Sequence, residues 1–164
     1  MSWDDFNPTL TNPGTGEEFS ALHFAAMNGY RSMPIIQYYQ QEIKFTEFQD
    51  SGPHDINPLD KEKSFTPMIL ATMRGNMDVV MYYMMNLNEK VWNRKTDPKI
   101  EPLKNSTLLH VAALVGNSQI FQLLIRNVTE KMPIDGGGRN PLHFSALKGH
   151  FNVSKILLDY LKVA

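Results

Sequence analysis

The sequence predicts an all-α chain of four stacked helix–turn–helix units, a solenoid with two long connecting fingers. A ten-residue segment recurs four times without internal gaps, every copy ends in glycine, and every glycine precedes an apolar stretch with helical spacing. Self-similarity of this kind indicates a repeat architecture in which neighbouring units bury each other's apolar faces. The four segments span Ser20–Gly29, Thr66–Gly75, Thr107–Gly116 and Asn140–Gly149.

The first helix of each unit is delimited by its end residues. Ser, Thr or Asn opens every segment and can cap the free amides of a helix start. Pro67 and Pro141 follow at the next position, where a missing N–H has no cost. Two small residues in the middle let neighbouring helices approach closely, and the terminal glycine readily adopts the left-handed conformation that ends a helix.

The second helix of each unit follows the glycine. Its apolar residues recur at i, i+3 and i+4, as in Ile120, Leu123 and Leu124. The segment starts lie 46, 41 and 33 residues apart, so the last interval is the undisturbed period and the first two carry insertions.

These segments resemble the ankyrin repeat family through the pattern Thr-Pro-Leu-His-x-Ala-Ala-x-x-Gly, over roughly Phe19 to Leu161. The second copy departs most, with Ile69 in place of histidine and Thr72 in place of the second alanine. The resemblance implies that the motif histidines bond backbone groups and tie turns together. They are His23, His110 and His143.

The predicted organisation is a lead-in over residues 1–18 and a repeat domain over residues 19–164. The lead-in carries Trp3 and Phe6, which we interpret as a lid on the first repeat. The last helix, predicted over Asn152–Lys162, keeps an apolar face, which favours a piece of a longer array. The repeats are expected at about 19–46, 65–90, 106–131 and 139–164, with long fingers at about 40–63 and 88–104.

Composition narrows the class of protein. The 164 residues include no cysteine, which excludes disulfides, thiol nucleophiles and cysteine metal sites. The sequence shows neither a signal peptide nor an apolar run of transmembrane length, so we expect no membrane insertion and a cytoplasmic or nuclear location.

Charge is distributed unevenly along the chain. Residues 1–62 hold ten acidic and three basic residues, or −7, and the remaining residues hold thirteen basic and seven acidic ones, or +6. Scattered solvated charge is one interpretation. A polar molecule that orients a partner, or associates weakly head to tail, is the other.

The sequence predicts no enzyme, metal or cofactor. It lacks a Gly-x-Ser-x-Gly elbow, and the motif histidines lie one per repeat, too far apart to share a metal. His54 stands near acidic residues in a loop but forms no recognisable metal pattern. Trp92 and the bases of the second finger could contact nucleic acid, but a solvated extended loop, with Trp92 packed on its own repeat, is favoured.

The resemblance also implies where a partner binds. In ankyrin stacks the two positions before the glycine and the residue before the motif face a concave groove. Here the first pre-glycine position is apolar in all four repeats, and these residues form a stripe flanked by Phe19 and Phe65, which is typical of a partner site. The alternative is that they pack on their own repeats. The candidate partner-binding residues are Phe19, Met27, Phe65, Met73, Arg74, Leu114, Val115, Arg139, Leu147 and Lys148.

The function predicted from these residues is non-enzymatic recognition of a protein partner through the groove and the fingers. Apolar anchors would supply most of the affinity and the basic residues would steer the encounter. Two alternatives stay open: a stand-alone inhibitor of a transcription factor or kinase, and a targeting module of a larger enzyme, channel or ligase.

Overall fold

The computed structural model describes residues 21–43 and 65–163 of the chain. These residues form helices and connections, with no strand among them. The predicted lid residues Trp3 and Phe6, most of the first finger and His54 lie outside the described residues. The helices are α1 (Ala21–Asn28), α2 (Met33–Ile43), α3 (Pro67–Arg74), α4 (Met77–Asn86), α5 (Glu89–Trp92), α6 (Leu108–Val115), α7 (Ser118–Asn127), α8 (Pro141–Lys148) and α9 (Phe151–Val163).

Eight of these helices form four antiparallel pairs, which we call repeats one to four: α1–α2, α3–α4, α6–α7 and α8–α9. The helices α1, α3, α6 and α8 contact one another in sequence order and form an inner layer. The second helix of each pair packs on the outside, where α7 contacts α9. The all-α solenoid predicted from the sequence is confirmed.

The ends of the inner helices follow the predicted chemistry. The Thr66 hydroxyl accepts the amide of Ile69 at 3.1 Å, and the Asn140 side chain accepts the amide of His143 at 3.2 Å. Gly75, Gly116 and Gly149 end α3, α6 and α8 with φ of +75°, +81° and +72°. The conformation suits glycine because a Cβ would be strained there.

A single apolar core runs through the described repeats. Tyr83, Phe65, Phe121 and Phe144 are its largest fully buried side chains. Since each repeat is only two helices thick, most of this burial comes from contacts between neighbouring repeats. In the part of the chain that the structure describes, none of the helices has the length and apolar run needed to cross a bilayer.

The second finger differs from the solvated extended loop expected from its composition. It begins with the helical turn α5, capped by the Asn88 side chain, which accepts the amide of Val91 at 3.1 Å. Trp92 is only 4% exposed, as its predicted packing requires, but Thr96 and Leu103 are buried too. The Thr96 hydroxyl donates to the Leu103 carbonyl and accepts the Ser106 amide at 2.8 Å, so this finger folds back on itself.

Candidate partner-binding surface

The first pre-glycine position is buried in repeat two and most exposed in repeat four. Met73 is 8% exposed, Met27 and Leu114 are half-buried, and Leu147 is 75% exposed. A partner can therefore reach Leu147 fully and Met27 or Leu114 in part, whereas Met73 belongs to the core. Among the described residues α3 has an inner helix on each side and α8 has one on a single side, which fits the burial of Met73 and the exposure of Leu147.

The second pre-glycine position is open in each repeat. Asn28, Arg74 and Lys148 are exposed, and Val115 is 37% exposed. The inner helices α1, α3, α6 and α8 contain no acidic residue. Their exposed C-terminal ends therefore present apolar side chains beside the positive charges of Arg74 and Lys148.

The described residues that precede the motifs do not extend this surface. Phe19 lies outside the described residues, and Phe65 is 1% exposed, so its ring fills the core. Arg139 is already engaged, because its guanidinium binds the buried Asp135 carboxylate at 2.8 Å, donates to the Pro102 carbonyl and lies 4.8 Å from the Phe144 ring. Phe65 and Arg139 thus act inside the fold in this structure.

Asp135 organises the turn that places Arg139. Its buried carboxylate accepts the amides of Gly137 at 2.9 Å and Arg139 at 2.7 Å. Burial alone would raise the pKa of Asp135, but these amides and the Arg139 guanidinium outweigh it and hold the pKa below its usual value. The three glycines Gly136–Gly138 therefore lie in an ordered turn.

Histidine side chains link successive repeats by donating hydrogen bonds to backbone carbonyls of the neighbouring repeat. The His23 Nε2–H donates to the Phe65 carbonyl at 2.9 Å, and the His110 Nε2–H donates to the Arg139 carbonyl at 3.0 Å. In the opposite direction, the His150 Nε2–H donates to the Leu114 carbonyl at 3.1 Å. A Cβ on Gly116 would lie 2.4 Å from the His150 ring, so glycine is required there.

These bonds agree with the role that the resemblance implied for His23 and His110. The His110 Nδ1 accepts the Thr107 amide, so one side of the ring caps its own helix while the other side bonds the next repeat. Burial lowers the pKa of His110, with partial opposition from the Arg139 carbonyl and the charge of Asp135. Among residues 21–43 and 65–163, no group of three His, Asp or Glu side chains converges on a metal position.

Sequence reasoning missed a polar contact beside the second finger. The Glu89 carboxylate accepts the Thr129 amide at 2.9 Å and the Thr129 hydroxyl at 2.6 Å. Burial would raise the pKa of Glu89, but these bonds, the Asn93 amide and the charge of Lys131 lower it overall. The two residues are 40 positions apart, so no local pattern indicates the pairing.

The helical pairs, their glycine ends and their histidine links agree with a known repeat family. A family model described as ankyrin repeats (3 copies) matches residues 88–163. Residues 88–163 carry ankyrin repeats. The match covers α5 and the two C-terminal ankyrin repeats, and repeats one and two form helical pairs of the same kind.

Curated relatives are longer proteins. A putative ankyrin repeat protein of Rickettsia bellii (strain RML369-C) is 33% identical over 94 residues, which cover 56% of this chain and 14% of that protein. The probable E3 ubiquitin-protein ligase XBOS32 of Oryza sativa subsp. japonica is 27% identical over an alignment 186 residues long. This alignment covers 94% of this chain and 34% of the relative. The ADP-ribosylation factor GTPase-activating protein AGD4 of Arabidopsis thaliana is 32% identical over 92 residues, 49% of this chain and 12% of the relative. The chain thus spans about a third or less of the length of these proteins.

Proposed function

We propose that this chain is a non-enzymatic module that binds a protein partner through the exposed ends of its inner helices and the adjoining fingers. The observation that carries the proposal is the surface formed by Val115, Leu147, Arg74 and Lys148. Apolar side chains there are accessible although the helices around them pack tightly, and the only charges on the inner helices are positive.

The mechanism is docking on a preformed scaffold. Buried contacts between repeats hold the inner helices rigidly, so binding orders few protein side chains and retains more of its free energy. Half-buried Met27 and Leu114 line the same positions along the stack and extend the apolar contact. Arg74 and Lys148 would steer a partner that carries negative charge.

A second candidate function is targeting within a larger protein. It is favoured by the relatives, since two of them are named as a probable ubiquitin ligase and a GTPase-activating protein, and this chain matches only part of each. For both candidate functions we infer that this chain itself is not catalytic. For both we also expect a cytoplasmic or nuclear location. A stand-alone inhibitor would use the same surface.

The experiment is a paired affinity purification from matched cell extract. The baits are the wild-type chain, a Val115→Glu/Leu147→Glu variant and a Met85→Glu variant that changes an exposed residue of α4. We expect a partner that binds wild type and Met85→Glu but is lost with the double variant. Circular dichroism first checks that all three fold. A partner held equally by all three baits would contradict the proposal and direct attention to the fingers.

A further inference from the structure

Methionine is concentrated in repeat two. Six of the ten methionines lie there, and the 164 residues hold no cysteine, so methionine carries all of their sulfur. Four of the six stand on α4, namely Met77, Met81, Met84 and Met85. Oxidation turns the flexible apolar thioether of methionine into a polar sulfoxide, and reductases can reverse the change. Repeat two therefore offers a peroxide more targets than the other repeats do.

The four methionines of α4 form two pairs with different surroundings. Met81 and Met85 lie one helical turn apart on the outer face, and they are 43% and 79% exposed. Met77 and Met84 lie two turns apart, are half-buried and pack against the apolar core. A peroxide therefore reaches the sulfur atoms of the first pair more readily than those of the second pair.

The outer helices of repeats three and four, α7 and α9, contain no methionine. In α7, 41 residues further on, Gln122 and Arg126 match the exposed pair and Ile125 matches Met84. Ile125 is completely buried, whereas Met84 is half-buried. Helix α7 packs on α9, but within residues 21–43 and 65–163 no comparable contact joins α4 to α7. Met84 therefore lies where the outer layer of the stack is more open.

We propose that α4 is the oxidation-sensitive element of this chain, and that sulfoxide formation at Met77 and Met84 loosens the junction between repeats two and three. The oxidant is hydrogen peroxide. The sulfur lone pair attacks one peroxide oxygen, the S–O bond forms and the O–O bond breaks. The other oxygen leaves as hydroxide and takes the proton from the transferred oxygen, which gives water. Sulfur loses two electrons in this step and the peroxide gains them.

The two pairs respond differently because the new oxygen meets different surroundings. A sulfoxide on exposed Met81 or Met85 stays in contact with water and changes the stability of the fold little. A sulfoxide on Met77 or Met84 brings a polar oxygen to the core side chains that these residues contact, and an unpaired polar group is unfavourable there. Oxidation of the half-buried pair therefore weakens the packing of α4 on its neighbours.

A peroxide time course tests the order of the two steps. Peptide mass spectrometry follows each sulfur, and urea denaturation with circular dichroism follows stability. We expect Met81 and Met85 to gain one oxygen each with no change in the unfolding midpoint. When Met77 and Met84 react, the unfolding equilibrium constant should rise about tenfold for each oxidised residue. A loss of stability that precedes oxidation of Met77 and Met84, or oxidation of both without any loss, would overturn the proposal.

Two matched double variants assign the effect to α4. Met77→Leu/Met84→Leu removes the half-buried sulfur atoms of α4 and keeps side chains of similar volume. Met27→Leu/Met33→Leu makes the same change at two half-buried methionines of repeat one that also pack against the core. We expect the first variant to keep most of its stability in peroxide and the second to lose stability as wild type does. Equal protection by both variants, or none by the first, contradicts the assignment.

Hydrogen exchange of the wild-type chain locates the loss without any substitution. After oxidation the amides of α4 and α7 should exchange several-fold faster, whereas those of α8 and α9 should keep their protection, because each repeat contacts only its neighbours. Reduction of the sulfoxides by methionine sulfoxide reductases should restore the original rates. Protection lost equally from all of these helices, or lost first from α8 and α9, would show that α4 is not the sensitive element.

Discussion

The junction between repeats three and four and the junction between repeats two and three are held by different groups. The first uses motif side chains: His110 reaches forward to the Arg139 carbonyl and His150 reaches back to the Leu114 carbonyl. The second has Ile69 at the forward position, and Asn117, the counterpart of His150, caps its own helix by accepting the Ile120 amide at 2.9 Å.

The second finger supplies the polar bonds at the junction between repeats two and three. The Asn93 side chain accepts the Leu108 amide at 3.2 Å, and Glu89 binds Thr129 beyond the end of α7. Trp92 at the end of α5 is buried and belongs to the apolar core. The difference teaches that an ankyrin repeat can lose its linking histidine when the inserted residues bond the next repeat instead.

The largest effect should come from the apolar anchor of the second finger. Trp92→Ala removes a side chain that is 4% exposed, and such truncations cost about 3–5 kcal/mol. We expect a loss of this size in the free energy of unfolding, measured by urea denaturation with circular dichroism. Tyr30→Ala, at an exposed ring, is the matched control and should change stability by no more than about 0.5 kcal/mol. A Trp92→Ala variant as stable as the control would show that the finger does not hold the junction.

Repeats three and four carry a histidine at the same motif position but in different surroundings, so the same substitution can be compared in both. His110→Ala removes one bond to the Arg139 carbonyl, which still accepts the Asp135 amide at 2.9 Å. It also leaves the buried Thr107 amide without its partner, and such a loss costs about 1–3 kcal/mol. His143→Ala removes only an exposed cap and should cost about 0.5–1 kcal/mol. Chemical denaturation followed by circular dichroism measures both losses of stability. Equal losses would mean that the link to the next repeat contributes nothing.

The regular parts of the molecule were predictable because their causes are local. Thr66, Asn140 and the glycines at the helix ends act on atoms within four residues, so the pattern alone located the inner helices. The groove positions were less predictable. Met73 and Phe65 are buried because neighbouring repeats cover them, and a single repeat unit does not show how far its neighbour overlaps it. The contact between Glu89 and Thr129 depends on a tertiary approach across 40 residues, so no spacing rule could find it.

A smaller effect is expected from the polar contact between the second finger and repeat three. Glu89→Gln weakens charge-assisted bonds to Thr129 that are partly exposed to water, so the cost should be about 0.5–1 kcal/mol. Thr129→Val removes the hydroxyl from the other side. A double-mutant cycle by urea denaturation should give a combined loss smaller than the sum of the single losses, because both changes remove the same bond. Strict additivity would show that the two side chains do not interact in solution.

The smallest effect is the pH dependence of the junction between repeats three and four. Burial lowers the pKa of His110 in the folded chain. In the unfolded chain histidine has a pKa of about 6.5, so near this pH the folded chain binds fewer protons than the unfolded chain. Stability contributed by neutral His110 is present above that value and is lost as the pH falls through it. The lowered pKa values of Glu89 and Asp135 act at more acidic pH, below the usual carboxyl range. Between about pH 7.5 and 5.5, His110→Asn should therefore lose less unfolding free energy than wild type. If the unfolding free energies of His110→Asn and wild type changed equally with pH across this range, burial would not be holding the His110 imidazole neutral at the junction.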